Sequence, residues 1–498
     1  MLTKEWASLK NGSDVRGVAS EGIPGMNVNL TDTVIEAIAK GFVLFLQKKY
    51  NKEASTLTIS IGHDSRISAG RIKDACIRAI TKTGACVMDF GLCTTPAMFM
   101  STIDEELGIF ASIMLTASHL PFNRNGLKFF TREGGLEGSD ITEILEFAQA
   151  DTPLVGAAAG SVTSFDYLSR YALHIAETIQ RETGLAKPFY GMKIAVDAGN
   201  GAGGFYAEKV LAPLGADVSG SCFLEPDGSF PNHIPNPEDK DAMHAISQAV
   251  LSSGSDLGVI FDTDVDRAAI VDDQGREINK NRLIALISAV LLENKKGTIV
   301  TDSVTSTGLN EFITDSLGGV HHRFKRGYKN VINEAKRLIS LGQDCPLAIE
   351  TSGHAALREN YFLDDGAYLV TKLLIKAVLM RGEGRKLTEL IAALKDPKLS
   401  RGHRLNLTGA NFKEDGQAIL DALQKKIEQT EGMSLETPNY EGVRVNVKDG
   451  WFLLRLSLHD PLMPLDMQCD EEETLSEMYS FLKEFLSAYS SIDITALP

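Results

Sequence analysis

Three aspartates stand at alternate positions in Asp262-Thr-Asp264-Val-Asp266-Arg267, directly after the apolar run Leu257–Phe261. Carboxylates so spaced can converge on one cation if the loop curls. Their mutual repulsion is costly unless something positive sits among them. An EF-hand also opens D-x-D-x-D, but it needs glycine at its sixth position and glutamate at its twelfth. Arg267 and Asp273 stand there instead, so that reading fails. Hard oxygen ligands favour Mg²⁺, and three carboxylates leave a place for a phosphate oxygen. The plainer alternative is an acidic turn capping the next element. A second loop, Thr116-Ala-Ser118-His119-Leu-Pro121-Phe-Asn123-Arg-Asn125-Gly126-Leu-Lys128, follows another apolar run. A serine hydroxyl is a weak nucleophile unless a base or metal helps it. His119 and Lys128 could handle protons or neutralise phosphate charge. There is no G-x-S-x-G elbow, so a hydrolase triad is not favoured. Taken alone, the segment reads as a Ser-His turn ended by Pro121.

Other loops carry cations and hydroxyls. Arg16 lies in Ser13-Asp-Val-Arg-Gly17, Arg66 in Gly62-His-Asp-Ser-Arg66, and three cations flank Gly327 in Lys325-Arg-Gly-Tyr-Lys329. Each suits a sugar-phosphate contact, and each is equally a solvated basic turn. In Glu350-Thr351-Ser352-Gly353-His354, Glu350 and Ser352 could hydrogen-bond vicinal hydroxyls; Ser352 could instead cap a helix. Val196-Asp-Ala-Gly199-Asn-Gly201-Ala-Gly203-Gly204 is not a clean G-x-G-x-x-G. No acidic residue about twenty residues on clearly closes a following strand, as a dinucleotide needs. Glycines for close helix–sheet packing are the better reading.

The elements that must position these loops recur as one unit. A short β-rich run ends in a polar or glycine-containing loop, and a helical pattern follows. Runs beginning at Thr56, Gly108, Lys193, Leu257, Thr298 and Pro346 fit it. They predict mostly parallel α/β sheets, with ligands beyond the carboxyl ends of the strands. From about Lys398 the character changes. Arg444–Leu458 forms two alternating runs around a turn, and a helix follows with Leu475, Met478, Leu482 and Phe485 on one side. That is α+β. Breaks within Asp151–Ser164, near Asp273–Arg276 and within Arg381–Pro397 give four modules: 1–160, 161–276, 277–395 and 396–498. The 498 residues are enough for three or four domains. Hydrophobic residues at 43% are enough to repay chain entropy, which argues against disorder. A net charge of −16 argues against a nonspecific grip on nucleic acid. It leaves an anionic small substrate open, since local charge can oppose net charge. None of the six cysteines has C-x-x-C spacing, the first residues lack the apolar core of a secretion signal, and the apolar stretch near Leu283–Leu292 is too short for a bilayer. The expectation is a soluble protein of a reducing cytoplasm, without nucleic-acid or membrane partners.

Taken together, the motifs resemble the α-D-phosphohexomutase superfamily, particularly the bacterial-type phosphomannomutase/phosphoglucomutase. The matching stretches run in family order: SDVRG at 13, GHDSRISAG at 62, GLCTTPA at 91 and TASHLPFNRNGLKFF at 116. VDAGNGAGG at 196, PDGSFPNHIPNPE at 226, DTDVDR at 262, KRGYKN at 325 and ETSGH at 350 continue the series. The resemblance implies four domains around a cleft, three alike and α/β, the last smaller and related to the TATA-binding-protein fold. It implies an isomerase that moves a phosphoryl group between the 1- and 6-positions of glucose or mannose. Ser118 matches the serine phosphorylated in the active enzyme, and hexose 1,6-bisphosphate is the implied intermediate and activator. Asp262, Asp264 and Asp266, with the phosphoserine at Ser118, match the ligands of one Mg²⁺. His119, Lys128, Arg16 and Arg267 match catalytic-cleft residues, with Lys128 a candidate acid/base. Lys325, Gly327, Glu350, Ser352 and His354 match sugar- and phosphate-reading positions. A monomer or homodimer is expected.

The fourth module departs from the pattern. Where the family carries R-P-S-G-T-E-P and a second arginine, this chain has Arg455-Leu-Ser457-Leu458-His459-Asp460-Pro461, with Pro464 at the second arginine. Arg455, Ser457 and His459 are the expected phosphate contacts, His459 as a replacement donor. Leu458 restricts a turn that glycine would leave free. Leu120 also replaces the asparagine common after Ser-His. Thr351 stands where phosphoglucosamine mutases have glutamine. A phosphoglucosamine mutase and a catalytically silent sugar-phosphate binder are the competing readings.

Overall fold

Helix Asp32–Tyr50 shows how local sequence builds the scaffold. Thr31 caps it by accepting from Val34 N, and Asn51 ends it in the left-handed conformation, φ 51°. Ile35, Ile38, Phe42 and Leu46 recur at helical spacing between these signals, and all are fully buried. They pack with Ile72 and Ile80 of helix Ala69–Lys82 and with Ile141 and Leu145 of helix Gly138–Ala150 in one core.

This computed structural model describes residues 1–151, 158–409, 411–457 and 460–498. The chain divides into two bodies. The first comprises Met1–Asn279, Ser352–Ala355 and Leu363–Leu387; the second comprises Lys280–Thr351, Ala356–Phe362 and Thr388–Pro498.

The first body holds two sheets. In the larger, strands run in the order Lys10–Asn11, Asp14–Val18, Arg124–Thr131, Ala111–Leu115, Thr58–His63, Cys86–Leu92 and Val162–Ser164. Thr58–His63 is parallel to both its neighbours, as the β-run-and-loop pattern leads one to expect. The other half is antiparallel. Ala111–Leu115 turns through the Ser118 loop straight into Arg124–Thr131, with Met114 opposite Lys128, and that strand pairs Gly126 with Arg16. The expected helix after this loop is therefore replaced by a strand, because Asn125–Thr131 is buried in the sheet between Asp14–Val18 and Ala111–Leu115. The sheet also takes in Val162–Ser164, just past the expected boundary at 160. In the second sheet Ile194–Asp197 lies parallel to Leu257–Phe261, which then reverses through the aspartate loop into Ala268–Asp272. Glu277–Ile278 adds a last antiparallel strand, so the turn at Asp273–Arg276 lies inside the sheet. Both chemistry-bearing loops are reversals between adjacent strands, and such short closures fix their ends closely.

In the second body, strand Thr298–Thr301 is parallel to Val320–Arg323 and Leu347–Ile349. Its C-terminal part is the expected α+β module. Strands run in the order Leu399–Asn406, Leu462–Cys469, Gly450–Leu454, Val443–Val447 and Ser434–Leu435, all antiparallel. Helices Phe412–Ile427 and Glu472–Leu486 share a core with one face of the sheet; Leu475, Met478 and Leu482 are buried there, and Leu486 lies deeper than Phe485. On the other face Arg444, 2% exposed, donates to the carbonyls of Ser303 (2.8 Å) and Thr305 (3.0 Å). Its guanidinium carbon lies 3.7 Å from the centre of the Trp451 ring.

Candidate active site

Two backbone reversals put the chemistry in one place. Ser118 and the three aspartates are almost wholly buried. Ser118 Oγ donates to Asp262 Oδ2 at 3.0 Å and accepts from Arg267 Nη2 at 2.7 Å. The serine hydroxyl is thus oriented by one acceptor and one donor, contributed by the other loop. Both loops hold a residue in the left-handed region, Ser118 at φ 51° and Val265 at φ 68°. Such conformations cost about 1–3 kcal/mol each and persist only where the surroundings over-determine them. Around Val265 those surroundings are Gly366, whose amide donates to the Val265 carbonyl at 3.0 Å, and Asp262, whose amide donates to the Arg267 carbonyl at 3.2 Å.

Ligand oxygens of Asp262, Asp264 and Asp266 lie within 4.8 Å of one another. Cations offset their repulsion. Lys128 Nζ donates to Asp264 Oδ2 at 2.9 Å and to Asp266 Oδ2 at 2.5 Å, and Arg267 Nε donates to Asp262 Oδ2 at 3.0 Å. The result separates two neighbouring acids. Burial, then the charge of Asp266, pushes Asp262 well above the usual carboxylate range. For Asp266 burial also opposes ionisation, but Lys128, His354 and Arg267 outweigh it and hold the carboxyl well below that range. Asp264 Oδ1 and Asp266 Oδ1 are buried and accept no hydrogen bond. Hard oxygens left orphaned within a carboxylate triplet are what a divalent cation such as Mg²⁺ takes up, so these residues fit that ion.

His119 does not act as a cation here. Burial, then the charges of Arg267 and Arg16, lowers its pKa to about 3. Arg267 Nη2 donates to His119 Nδ1 at 2.7 Å. Because arginine only donates, the imidazole is neutral and carries its proton on Nε2. Arg16 is tied to Asp14 at 3.1 Å. His354, expected among the sugar contacts, faces the carboxylates: its Nδ1 lies 2.6 Å from Asp364 and 3.7 Å from Asp266. Burial opposes its charge, yet these two acids raise its pKa to about 9. Ser352 belongs to the same body, with its Oγ buried and without a hydrogen-bond partner.

The remaining expected residues belong to the second body. Lys325 and Gly327 are exposed, and Gly327, at φ 112°, holds a backbone form that favours glycine. The Gly327 amide donates to Glu350 Oε1 at 2.6 Å, which ties the basic loop to the buried glutamate. Thr351 Oγ1 donates to Asp302 at 2.7 Å, and Arg326 stands 3.4 Å from the same carboxylate. Burial, then the charge of Arg326, depresses Arg455, which lies 3.7 Å from Asp466. The Arg455 amide donates to the carbonyl of Pro464, and Ser457 Oγ accepts from the Asp460 amide. His459 and Leu458 lie outside the described residues.

Two side chains escaped the sequence reading, and a third, Arg66, was read there only as a sugar-phosphate contact or a solvated basic turn. Thr95 Oγ1 donates to Asp264 Oδ2 at 2.5 Å, Asn236 Oδ1 accepts from Arg267 Nη1 at 3.1 Å, and Arg66 packs beneath the serine loop. The available signal was position: all three lie in the motif stretches GLCTTPA, PDGSFPNHIPNPE and GHDSRISAG. The glycines of VDAGNGAGG serve close packing, as expected. A Cβ on Gly201 would come 2.6 Å from the Thr263 carbonyl oxygen, inside the aspartate loop.

Comparison with known proteins agrees with this geometry. Family models described as phosphoglucomutase/phosphomannomutase alpha/beta/alpha domains I, II and III match residues 8–153, 169–275 and 279–397. A phosphomannomutase/phosphoglucomutase of Pseudomonas putida is 30% identical over 422 residues, covering 84% of this chain and 85% of that protein. The one from Pseudomonas aeruginosa is 28% identical over 489 residues, covering 97% and 96%. The crystal structure of a phosphoglucomutase/phosphomannomutase family protein from Burkholderia thailandensis superposes with a TM-score of 0.78 at 24% identity, over 98% of each chain. The chain belongs to the phosphoglucomutase/phosphomannomutase family, bacterial-type α-D-phosphohexomutases, and is an isomerase of that class.

Proposed function

We propose that this enzyme interconverts the 1- and 6-phosphates of glucose or mannose through phospho-Ser118 and a hexose 1,6-bisphosphate. The observation that carries this reading is the hydrogen bond between Ser118 Oγ and Asp262 across two loops 144 residues apart. It joins a nucleophile to a candidate divalent-metal triplet. Bound there, with Asp262, Asp264, Asp266 and the phosphoserine as ligands, Mg²⁺ would supply charge neutralisation for the transferring phosphoryl group.

In the first transfer the free hydroxyl of the substrate attacks phosphorus. The bond from phosphorus to Ser118 Oγ breaks, and its electron pair stays on the oxygen. Lys128 hands a proton to that oxygen and is reloaded from the substrate hydroxyl, so the proton count closes. The second transfer reverses this at the other end of the bisphosphate, restoring phospho-Ser118. Arg267 holds Oγ in line, neutral His119 gives Arg267 a fixed acceptor, and Arg16 adds positive charge beside it. Glu350 and Ser352 hold hydroxyls common to both orientations. Lys325, Gly327, Arg455, Ser457 and His459 take the phosphate that does not react. In the same reading the modules run 1–160, 161–276, 277–395 and 396–498, and a cytoplasmic monomer or homodimer does the work. No helix among the described residues is long and apolar enough to cross a membrane.

The test is a coupled assay with Mg²⁺, a trace of glucose 1,6-bisphosphate, and glucose, mannose and glucosamine 1-phosphates in parallel. Turnover on the first two is expected. Preference for the third would reassign the enzyme as a phosphoglucosamine mutase, and silence on all three would leave only a sugar-phosphate binder.

A further inference from the structure

Ser118 keeps its left-handed backbone because both of its ends are held. Its amide donates to Thr116 Oγ1 at 2.9 Å. On its carbonyl side stands Arg66, whose side chain is 0% exposed, so the solvated basic turn is excluded. Nη2 donates to the carbonyls of Ser118 and, at 2.7 Å, Leu120; Nη1 donates to those of Pro121 at 2.8 Å and Arg124 at 2.9 Å. One planar guanidinium thus collects four carbonyls from the turn 118–124. That leaves none of its terminal hydrogens for a substrate phosphate.

Arg66 is itself clamped. Asp64 lies 3.4 Å from its Nε and accepts from its amide at 3.0 Å. The Phe230 ring centre lies 5.3 Å from its guanidinium carbon. Phe230 comes from the PDGSFPNHIPNPE segment, and a Cβ on Gly228 of that segment would come 2.4 Å from both Ser65 O and Ile67 N. Asn236 of the same segment holds Arg267. One stretch of the second module therefore supports both arginines around the serine, a role the sequence motif left unassigned.

We propose that Arg66 is a positioning residue for phosphoryl transfer: by gathering the carbonyls of the 118–124 turn it holds Ser118 left-handed and aims Oγ at the aspartate triplet. The inference rests on the mutase reading above. Its test uses the full-length protein with glucose 1-phosphate, Mg²⁺ and glucose 1,6-bisphosphate. A single ammonium cannot bridge four carbonyls, so Arg66→Lys should lower kcat by about 100-fold while KM stays within about 3-fold. The rate of single-turnover transfer from enzyme already phosphorylated on Ser118 should fall by the same factor, which a mere loss of folded protein would not cause. Guanidinium ion should recover about 10-fold of the rate of Arg66→Ala and none of Ser118→Ala. If Arg66→Ala does not fold, Phe230→Ala carries the test, with an expected fall in kcat of about 10-fold at unchanged KM. Full kcat in Arg66→Lys or Phe230→Ala beside an active wild type overturns the inference alone. A wild type inactive on every hexose phosphate overturns the mutase reading, and the inference with it.

Discussion

The two bodies arrange charge differently. In the first, nearly every ionisable group of the candidate site is buried and answered by another: Lys128 by two aspartates, Arg267 by Asp262 and Asn236, His354 by Asp364. In the second, Lys325 and Gly327 are exposed, and Arg455 has its nearest acid at 3.7 Å. The first pattern suits bond making, where charge must be fixed before the reaction begins. The second suits recognition, where groups must exchange water for a ligand. The lesson is that substitutions in the first body should act on kcat or metal, and those in the second on KM.

Four measurements can break or sharpen that contrast. Ser118→Ala should lower kcat by on the order of 10⁴-fold or more and abolish the one-phosphate fraction in intact-mass spectra, with cooperative unfolding unchanged. Thr95→Val removes the hydroxyl that orients Asp264. The Mg²⁺ concentration for half-maximal turnover should rise by about 10–100-fold, confirmed by direct calorimetric titration. In the second body, Arg455→Ala should raise KM for glucose 1-phosphate by about 10-fold and change kcat by less than about 3-fold. A larger change in kcat than in KM would erase the distinction. The smallest effect concerns a closed pair in the first body. His233 Nε2 lies 3.0 Å from buried Asp197. Burial works against the imidazolium, but the hydrogen bond and charge of Asp197 outweigh it, so its pKa is raised above the ordinary 6.5. The stabilisation is fully present below about 6.5 and is lost as pH climbs through the raised value. The melting temperature of wild type over His233→Asn should therefore shrink by about 2 °C across that rise. A gap independent of pH would mean that folding does not shift the His233 pKa.

Much of the site was legible in sequence because its signals are local. The alternating aspartates, the serine after an apolar run and the glycine of the KRGYKN loop are short-range patterns, and each of the six expected strand runs is a strand. The elements that succeed those strands were less legible. A helix was expected after Ser118, after Asp266 and after His354, and a strand returns in all three places, because burial of Asn125–Thr131, Ala268–Asp272 and Ala355–Leu357 is set by packing that the local pattern does not encode. Arg66 was read as a sugar-phosphate contact or a solvated basic turn because its acceptors are main-chain carbonyls, which no side-chain pattern encodes. His354 was assigned to the sugar for want of any sequence signal linking it to Asp364 and Asp266.

Arg444 gives the second body a further property. Its guanidinium lies between an indole face and two carbonyls contributed by the third module. Swinging the C-terminal sheet away about the tether near Lys395–Lys398 must first strip that cation from all three partners. Any such motion therefore carries the free-energy cost of unpairing a buried cation.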